Sequence, residues 1–77
     1  MRESLSKKYQ HQINTLIDYA SIFSGPDRAS VDLTCAKYEI KVIGKEILDQ
    51  SGRDALNLVY SMLNDKTGEI KDIWKKI

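Results

Sequence analysis

Cysteine occurs once, at Cys35, so no disulfide can close within the chain. A lone thiol among apolar neighbours suits a reducing compartment, and the disulfide-stapled secreted class is excluded. Proline also occurs once and glycine four times, too few for a linker-like or disordered chain. No apolar run approaches the roughly 18 residues that a membrane-spanning helix requires. The opening Met1-Arg2-Glu3-Ser4 leads into charged residues rather than an apolar segment, so a signal peptide is not expected. A cytoplasmic location without membrane association is the expectation.

A surplus of one charge is missing too. The formal net charge is +1. Residues 1–28 carry four basic and three acidic groups, residues 29–65 four and six, and residues 66–77 four and two. Phosphate-binding surfaces need a clear basic excess, so nucleic acid is not the expected partner. Only the C-terminal lysines leave that alternative open.

What is present is helical periodicity. Seventy-seven residues make one domain with a thin core. Tyr9, Ile13, Leu16, Ala20 and Phe23 step by 4, 3, 4 and 3, which predicts a helix over about residues 4–23, its stripe widened by Leu5 and Ile17. Ser24-Gly25-Pro26 stops it, with glycine suited to a left-handed C-cap. A second helix is predicted to start between Pro26 and Ser30 and to reach about Gln50. Pro26 at its first position, or Ser30 as N-cap, would open it. Leu33, Ala36, Ile40, Ile43 and Ile47 form its apolar stripe. Lys37, Lys41 and Lys45 form a row best read as a solvated face. Gly44, in mid-helix, costs about 1 kcal/mol against alanine, and either permits close helix approach or is neutral. "KYEIKVI" alternates as a strand would, but the helical spacing on both sides outweighs it.

Ser51-Gly52-Arg53-Asp54 marks a break and a restart, with Ser51 and Asp54 placed as in a capping box. The third helix, to about Leu63, is apolar on more than one side, as in a core centre or an oligomer interface. A fourth begins near Thr67. Its Ile70, Ile73, Trp74 and Ile77 fall on one stripe, with Glu69 and Asp72 early and Lys75 and Lys76 late, as the helix dipole favours. "NDKTGEIKDIWKKI" therefore reads as a closing helix anchored by Trp74, Ile70 and Ile77. As a DNA reader it would set two carboxylates against phosphates.

Little chemistry is legible. His11 has no ligand-type residue three or four positions away, and a metal site would need donors from other helices. Cys35 is expected to be buried beside Leu33 and Ala36, and slow to react. Glu39, Glu46 and Asp49 lack the Glu-x-x-His pattern of di-iron bundles. There is no glycine-rich phosphate loop. Four tyrosines, at 9, 19, 38 and 60, suit core edges as well as recognition surfaces. Neither an enzyme nor a cofactor is expected.

From Ile40 onward, "IKVIGKEILDQSGRDALNLVYSML…IKDIWKKI" resembles a set of short bacterial proteins of unassigned function. Their pattern is I-x-x-I-G-x-E-L, a glycine-containing turn, A-M-x-x-V-Y, then L-x-x-x-W-D-G-I-G. Ile43-Gly44, Glu46-Ile47-Leu48, Gly52, Ala55-Leu56, Val59-Tyr60 and Ile70…Trp74…Ile77 occupy those places. Lys75-Lys76 stands where the pattern has Asp-Gly. The resemblance implies a bacterial or phage cytoplasmic protein and carries no activity, cofactor or partner with it.

The expected fold is all-α, a small bundle or orthogonal array of three longer helices plus a short C-terminal one. The expected role is a non-enzymatic protein-interaction or regulatory module with an unidentified protein partner. The runner-up is a nucleic-acid-associated regulator using the basic C-terminal helix. Because the first helix is longer than the third and fourth, part of its stripe should overhang them. A homodimer through Tyr9, Ile13 and Leu16 together with Leu58 and Met62 is the expected consequence, the competing arrangement being a compact monomer in which the fourth helix folds back over the overhang.

Overall fold

Helical spacing becomes helix throughout. The computed structural model describes residues 2–77, without the side chains of Arg2, Glu3 and Asp27. The order is α1 (Arg2–Lys8), α2 (Gln10–Ser24), a 3-10 turn (Pro26–Ser30), α3 (Leu33–Ser61) and α4 (Glu69–Lys75). No strand occurs among the described residues, and "KYEIKVI" lies inside α3. The fold is all-α.

The first predicted helix is bent rather than straight. Tyr9 leaves helical geometry, at φ −113° and ψ 26°. The ladder nevertheless holds on both sides, with Tyr9 N donating to Leu5 O at 3.0 Å and Ile13 N to Tyr9 O at 2.8 Å. The bend lets α1 lie along the far part of α3, where Ser4 and Leu5 share a groove with Ser51, Asp54, Ala55 and Leu58. At the other end of α2, Gly25 is extended (φ −115°, ψ −179°) and not left-handed as expected. Its N–H still donates to Ile22 O, and Pro26 opens the 3-10 turn.

Asp32, not Ser30, caps α3. Its Oδ1 accepts from Thr34 N at 3.0 Å and Cys35 N at 3.2 Å, satisfying donors that the first helical turn leaves unpaired. The 29 residues of α3 are interrupted at Gly52, where φ is 87° and ψ 175°. That region is almost confined to glycine. It makes two limbs, residues 33–51 and 53–61, at the break the sequence marks. Ser51 does not act there as the expected cap. Its hydroxyl lies 2.7 Å from Tyr9 Oη, so the bend at Tyr9 and the bend at Gly52 are tied together.

Asp65 organises the approach to α4. Its Oδ1 accepts from Gly68 N and Thr67 Oγ1, and its Oδ2 from Tyr60 Oη and Lys71 N. Burial, then the Asp65 carboxylate, pushes the Tyr60 hydroxyl up to about 12. Gly68 takes a left-handed conformation (φ 75°) at the helix start. Arg28 of the 3-10 turn then grips Glu69 with two bonds, of 2.7 and 2.5 Å.

One apolar core joins these elements. Leu16, Ile40, Ile47, Val59 and Ile70 are fully buried in it, with Leu56 and Tyr9 at 1% exposure. Trp74 lies across the first limb of α3 at Gly44, where an added Cβ would stand 2.5 Å from the indole nitrogen. That nitrogen donates to Ile40 O at 3.0 Å. Arg53 donates to the carbonyls of Trp74 and Ile77 at the end of α4.

Candidate docking surface

Functional chemistry needs polar groups gathered in a sheltered place. Among the described residues no charged or polar residue is buried, and no three His, Cys, Asp or Glu side chains stand close enough to hold a metal ion. His11 lies on an exposed stretch of α2. No described helix is long and apolar enough to cross a membrane.

Cys35 is exposed, which corrects its expected burial. The inward stripe of α3 runs through Ala36, Ile40, Ile43 and Ile47, and Cys35 sits roughly 100° round the helix from Ala36. Its Sγ donates to Asp32 Oδ2 at 3.3 Å. That bond and the carboxylate's charge hold the thiol above its usual range, which disfavours the nucleophilic thiolate.

The expected dimer surface is turned inward. Tyr9 is 1% exposed, Ile13 6% and Leu16 0%, all within the chain's own core. Leu58 and Met62 are half-buried at the edges of shallow grooves beside α1. Tyr9 is covered where the two limbs of α3 meet, its hydroxyl on Gln50 and Ser51, while Ile17 at the edge of the same stripe stays 40% exposed. Of the closing anchors, Trp74 and Ile70 are buried and Ile77 is half-buried.

Among the described residues, the largest apolar exposure falls on the outer face of α3. Tyr38 is 69% exposed and Val42 44%. They stand four residues apart, and with Thr34, Cys35 and Glu39 they line one shallow groove. Continuing the spacing gives Cys35, Tyr38, Val42, Lys45 and Asp49, at steps of 3, 4, 3 and 4, opposite the buried stripe. Glu39 and Glu46 run along one edge of this row and Lys41 along the other. Glu39 accepts a short hydrogen bond from Tyr19 Oη, which ties that edge to α2 and pushes the tyrosine up to about 12. Lys37, Lys41 and Lys45 are exposed, as their spacing suggested. In the sequence Tyr38 stands out as one of four tyrosines, and with Val42 in an alternating pattern. The helical signal they carry is the 35-38-42 spacing.

A second feature lies between α3 and α4. Arg53, Asn57, Tyr60, Lys71 and Lys75 surround a groove of about 240 Å³ floored by Leu56 and Trp74. Comparison with protein-family models, with curated proteins and with solved structures finds no match to the chain.

Proposed function

We propose that this is a non-enzymatic protein-interaction or regulatory module of the cytoplasm, docking through the outer face of α3. The observation that carries the reading is the exposure of Tyr38 (69%) beside Val42 (44%) on the outer face of α3. Tyrosine joins an apolar ring to a polar tip and loses little conformational entropy when it docks, which is why interfaces favour it. The resemblance over residues 40–77 supports a bacterial or phage origin.

The test is a paired capture from native lysate with the wild-type chain and Tyr38→Lys. The variant should keep its circular dichroism spectrum and thermal midpoint, because the side chain it loses is 69% exposed. It should lose the proteins that the wild type retains. Retention of the same set by both would remove this face from the function.

A second reading rests on Arg53, Lys71 and Lys75 around one groove. In it the module touches nucleic acid through the C-terminal helix. Retention on heparin at about 0.15 M salt, lost in Lys71→Glu/Lys75→Glu, would favour this reading, because phosphate binding rests on counterion release. Against it stand Asp54 and Asp72 nearby in sequence, and the use of Arg53 on the carbonyls of Trp74 and Ile77.

A further inference from the structure

We propose that Gly52 is the hinge of a domain exchange, through which two copies of the chain trade residues 53–77 and form a dimer. The proposal is independent of the docking reading and makes no use of the outer α3 face.

The direction of each element carries the argument. Along α4, Glu69 meets Arg28, the Trp74 indole donates to Ile40 O, and Trp74 and Ile77 crowd Gly44. Helix α4 therefore runs the same way as the first limb of α3. The second limb runs against α4. Arg53 reaches the carbonyls of Trp74 and Ile77 at the end of α4, and Tyr60 bonds Asp65 just before its start. So the second limb folds back along the first. A straight helix of 29 residues would be about 43 Å long, more than the 36 Å of the molecule's longest axis.

One residue makes this reversal, where helix–helix connections ordinarily take about 2–8. Gly52 alone leaves helical geometry inside α3, at φ 87° and ψ 175°. A hinge so short, held in a conformation almost confined to glycine, favours opening. Nothing stands within 4 Å of its missing Cβ, so no neighbour walls it in. Rotation of Gly52 to helical φ and ψ joins the limbs into one straight helix and carries residues 53–77 off the core.

The surface that fits the released segment is the same core in a second copy. Trp74 of each copy then seats on Gly44 of the other, and Arg28 of each pairs with Glu69 of the other. The Tyr9 contacts to Gln50 and Ser51 lie before the hinge and stay within each copy. Monomer and dimer thus hold the same contacts, but the dimer relaxes two hinges. Concentration sets the balance between them. Trp74 must leave its seat on the way, so the exchange is loaded by refolding.

Gly52→Ala is the first test. Alanine is strained in the closed form and favoured in the straight helix. After refolding at submillimolar concentration, its dimer association constant should exceed that of the wild type at least about a hundredfold, roughly tenfold from each hinge. Sedimentation equilibrium should give a mass that rises from 8.8 kDa towards twice that value with concentration. D-alanine at position 52 suits positive φ and not a right-handed helix, so that chain should stay monomeric.

A pair of charge variants reads the exchange itself. Arg28→Glu and Glu69→Arg each set like charges together within a closed chain. Refolded together, they regain the opposite-charge pair only by trading residues 53–77. Native mass spectrometry should show the mixed dimer in excess of its statistical share, and about 1 M salt should reduce the excess. A Gly52→Ala chain that stays at 8.8 kDa at every concentration overturns the exchange. A dimer in which the charge variants mix at random overturns it too, because a contact between outer surfaces gives that result. If Gly52→Ala does not fold, the charge variants are refolded together with Gly52 in place, and the lack of a mixed-dimer excess there overturns the exchange equally.

Discussion

Two buried aromatics hold separate junctions of the molecule, and they are seated differently. Trp74 clamps α4 onto the first limb of α3, its indole nitrogen bonded to a backbone carbonyl that also belongs to the helix. Tyr9 joins the two bends, its hydroxyl meeting the Ser51 hydroxyl and donating to Gln50 Oε1 at 3.3 Å. The tryptophan seat needs space, which Gly44 provides by having no side chain. The tyrosine seat needs a backbone turn, which Gly52 provides by adopting φ 87° with nothing within 4 Å of its missing Cβ. One glycine acts through volume and the other through conformation.

Trp74→Ala should have the largest effect. It removes a ring only 4% exposed and strands the packing around it, a loss of about 3–5 kcal/mol. A domain of this size has roughly 4–11 kcal/mol in total, so the variant should be largely unfolded by circular dichroism at 37 °C. The wild-type tryptophan should emit well to the blue of free tryptophan. Emission at the free-tryptophan wavelength would mean that the clamp is not closed.

The two glycines separate next. Gly44→Ala puts a methyl 2.5–2.8 Å from Trp74 and Ile77, an overpacking cost of about 1–3 kcal/mol against a helix-propensity gain near 1. Gly52→Ala meets no atom but forces an L-residue into glycine's region, at about 1–3 kcal/mol. Urea unfolding should show both losses, but they should be rescued differently. Trp74→Phe should recover part of the Gly44→Ala loss and none of the Gly52→Ala loss. D-alanine at position 52, by chemical synthesis, should recover the second alone. Rescue of both by one change would erase the distinction between the seats.

How far this contrast was legible in the sequence follows from what spacing can report. The 3-and-4 steps locate the helices, and Ser51-Gly52 marks the break because glycine and serine interrupt an apolar pattern. The bend at Tyr9 leaves no such mark, since Tyr9 continues the stripe it bends. Ser30 and Asp32 are both credible caps, and only the distances to Thr34 N and Cys35 N decide between them. The docking face was hidden for a related reason. Helix α3 carries two stripes at the same spacing, 36-40-43-47 and 35-38-42, and periodicity cannot say which one α2 and α4 will cover. Cys35 was assigned to the wrong one. The inward use of Tyr9, Ile13 and Leu16 is not legible, because an apolar stripe has the same spacing whether it packs within its own chain or on another.

Tyr9→Phe tests the tyrosine seat with the ring retained. It removes the contacts to Ser51 and Gln50 and leaves their polar groups partly open to water, which can replace the lost partner. The expected loss is about 1 kcal/mol, the ordinary net value of a hydrogen bond. Faster amide exchange around residues 50–53 than at Ile43 or Ile47 would locate it at the kink. A uniform change along α3 would show that the hydroxyl does not tie the two bends.

The smallest effect concerns pH, and it belongs to the tryptophan end alone. The two hydrogen bonds from Arg28 hold the Glu69 carboxyl below its usual 4.5. A carboxylate whose folded value is depressed stabilises the protein above its unfolded value, and that contribution disappears as pH falls through the folded value. The part of the stability due to this pair should thus be complete above about pH 5 and lost progressively below 4.5. The side chains are 39% and 20% exposed, so water screens the pair and the change is small. Glu69→Gln should flatten the acid side of the stability curve slightly, and the flattening should be less at about 1 M salt. Amide exchange divides the outcome by place. Acid should loosen α4 and the 3-10 turn before the Tyr9–Ser51 junction, because that junction is bridged by hydroxyls and an amide rather than by a carboxylate. Loosening at both ends at the same pH, or first at the kink, would show that Glu69 does not set the acid limit of the clamp.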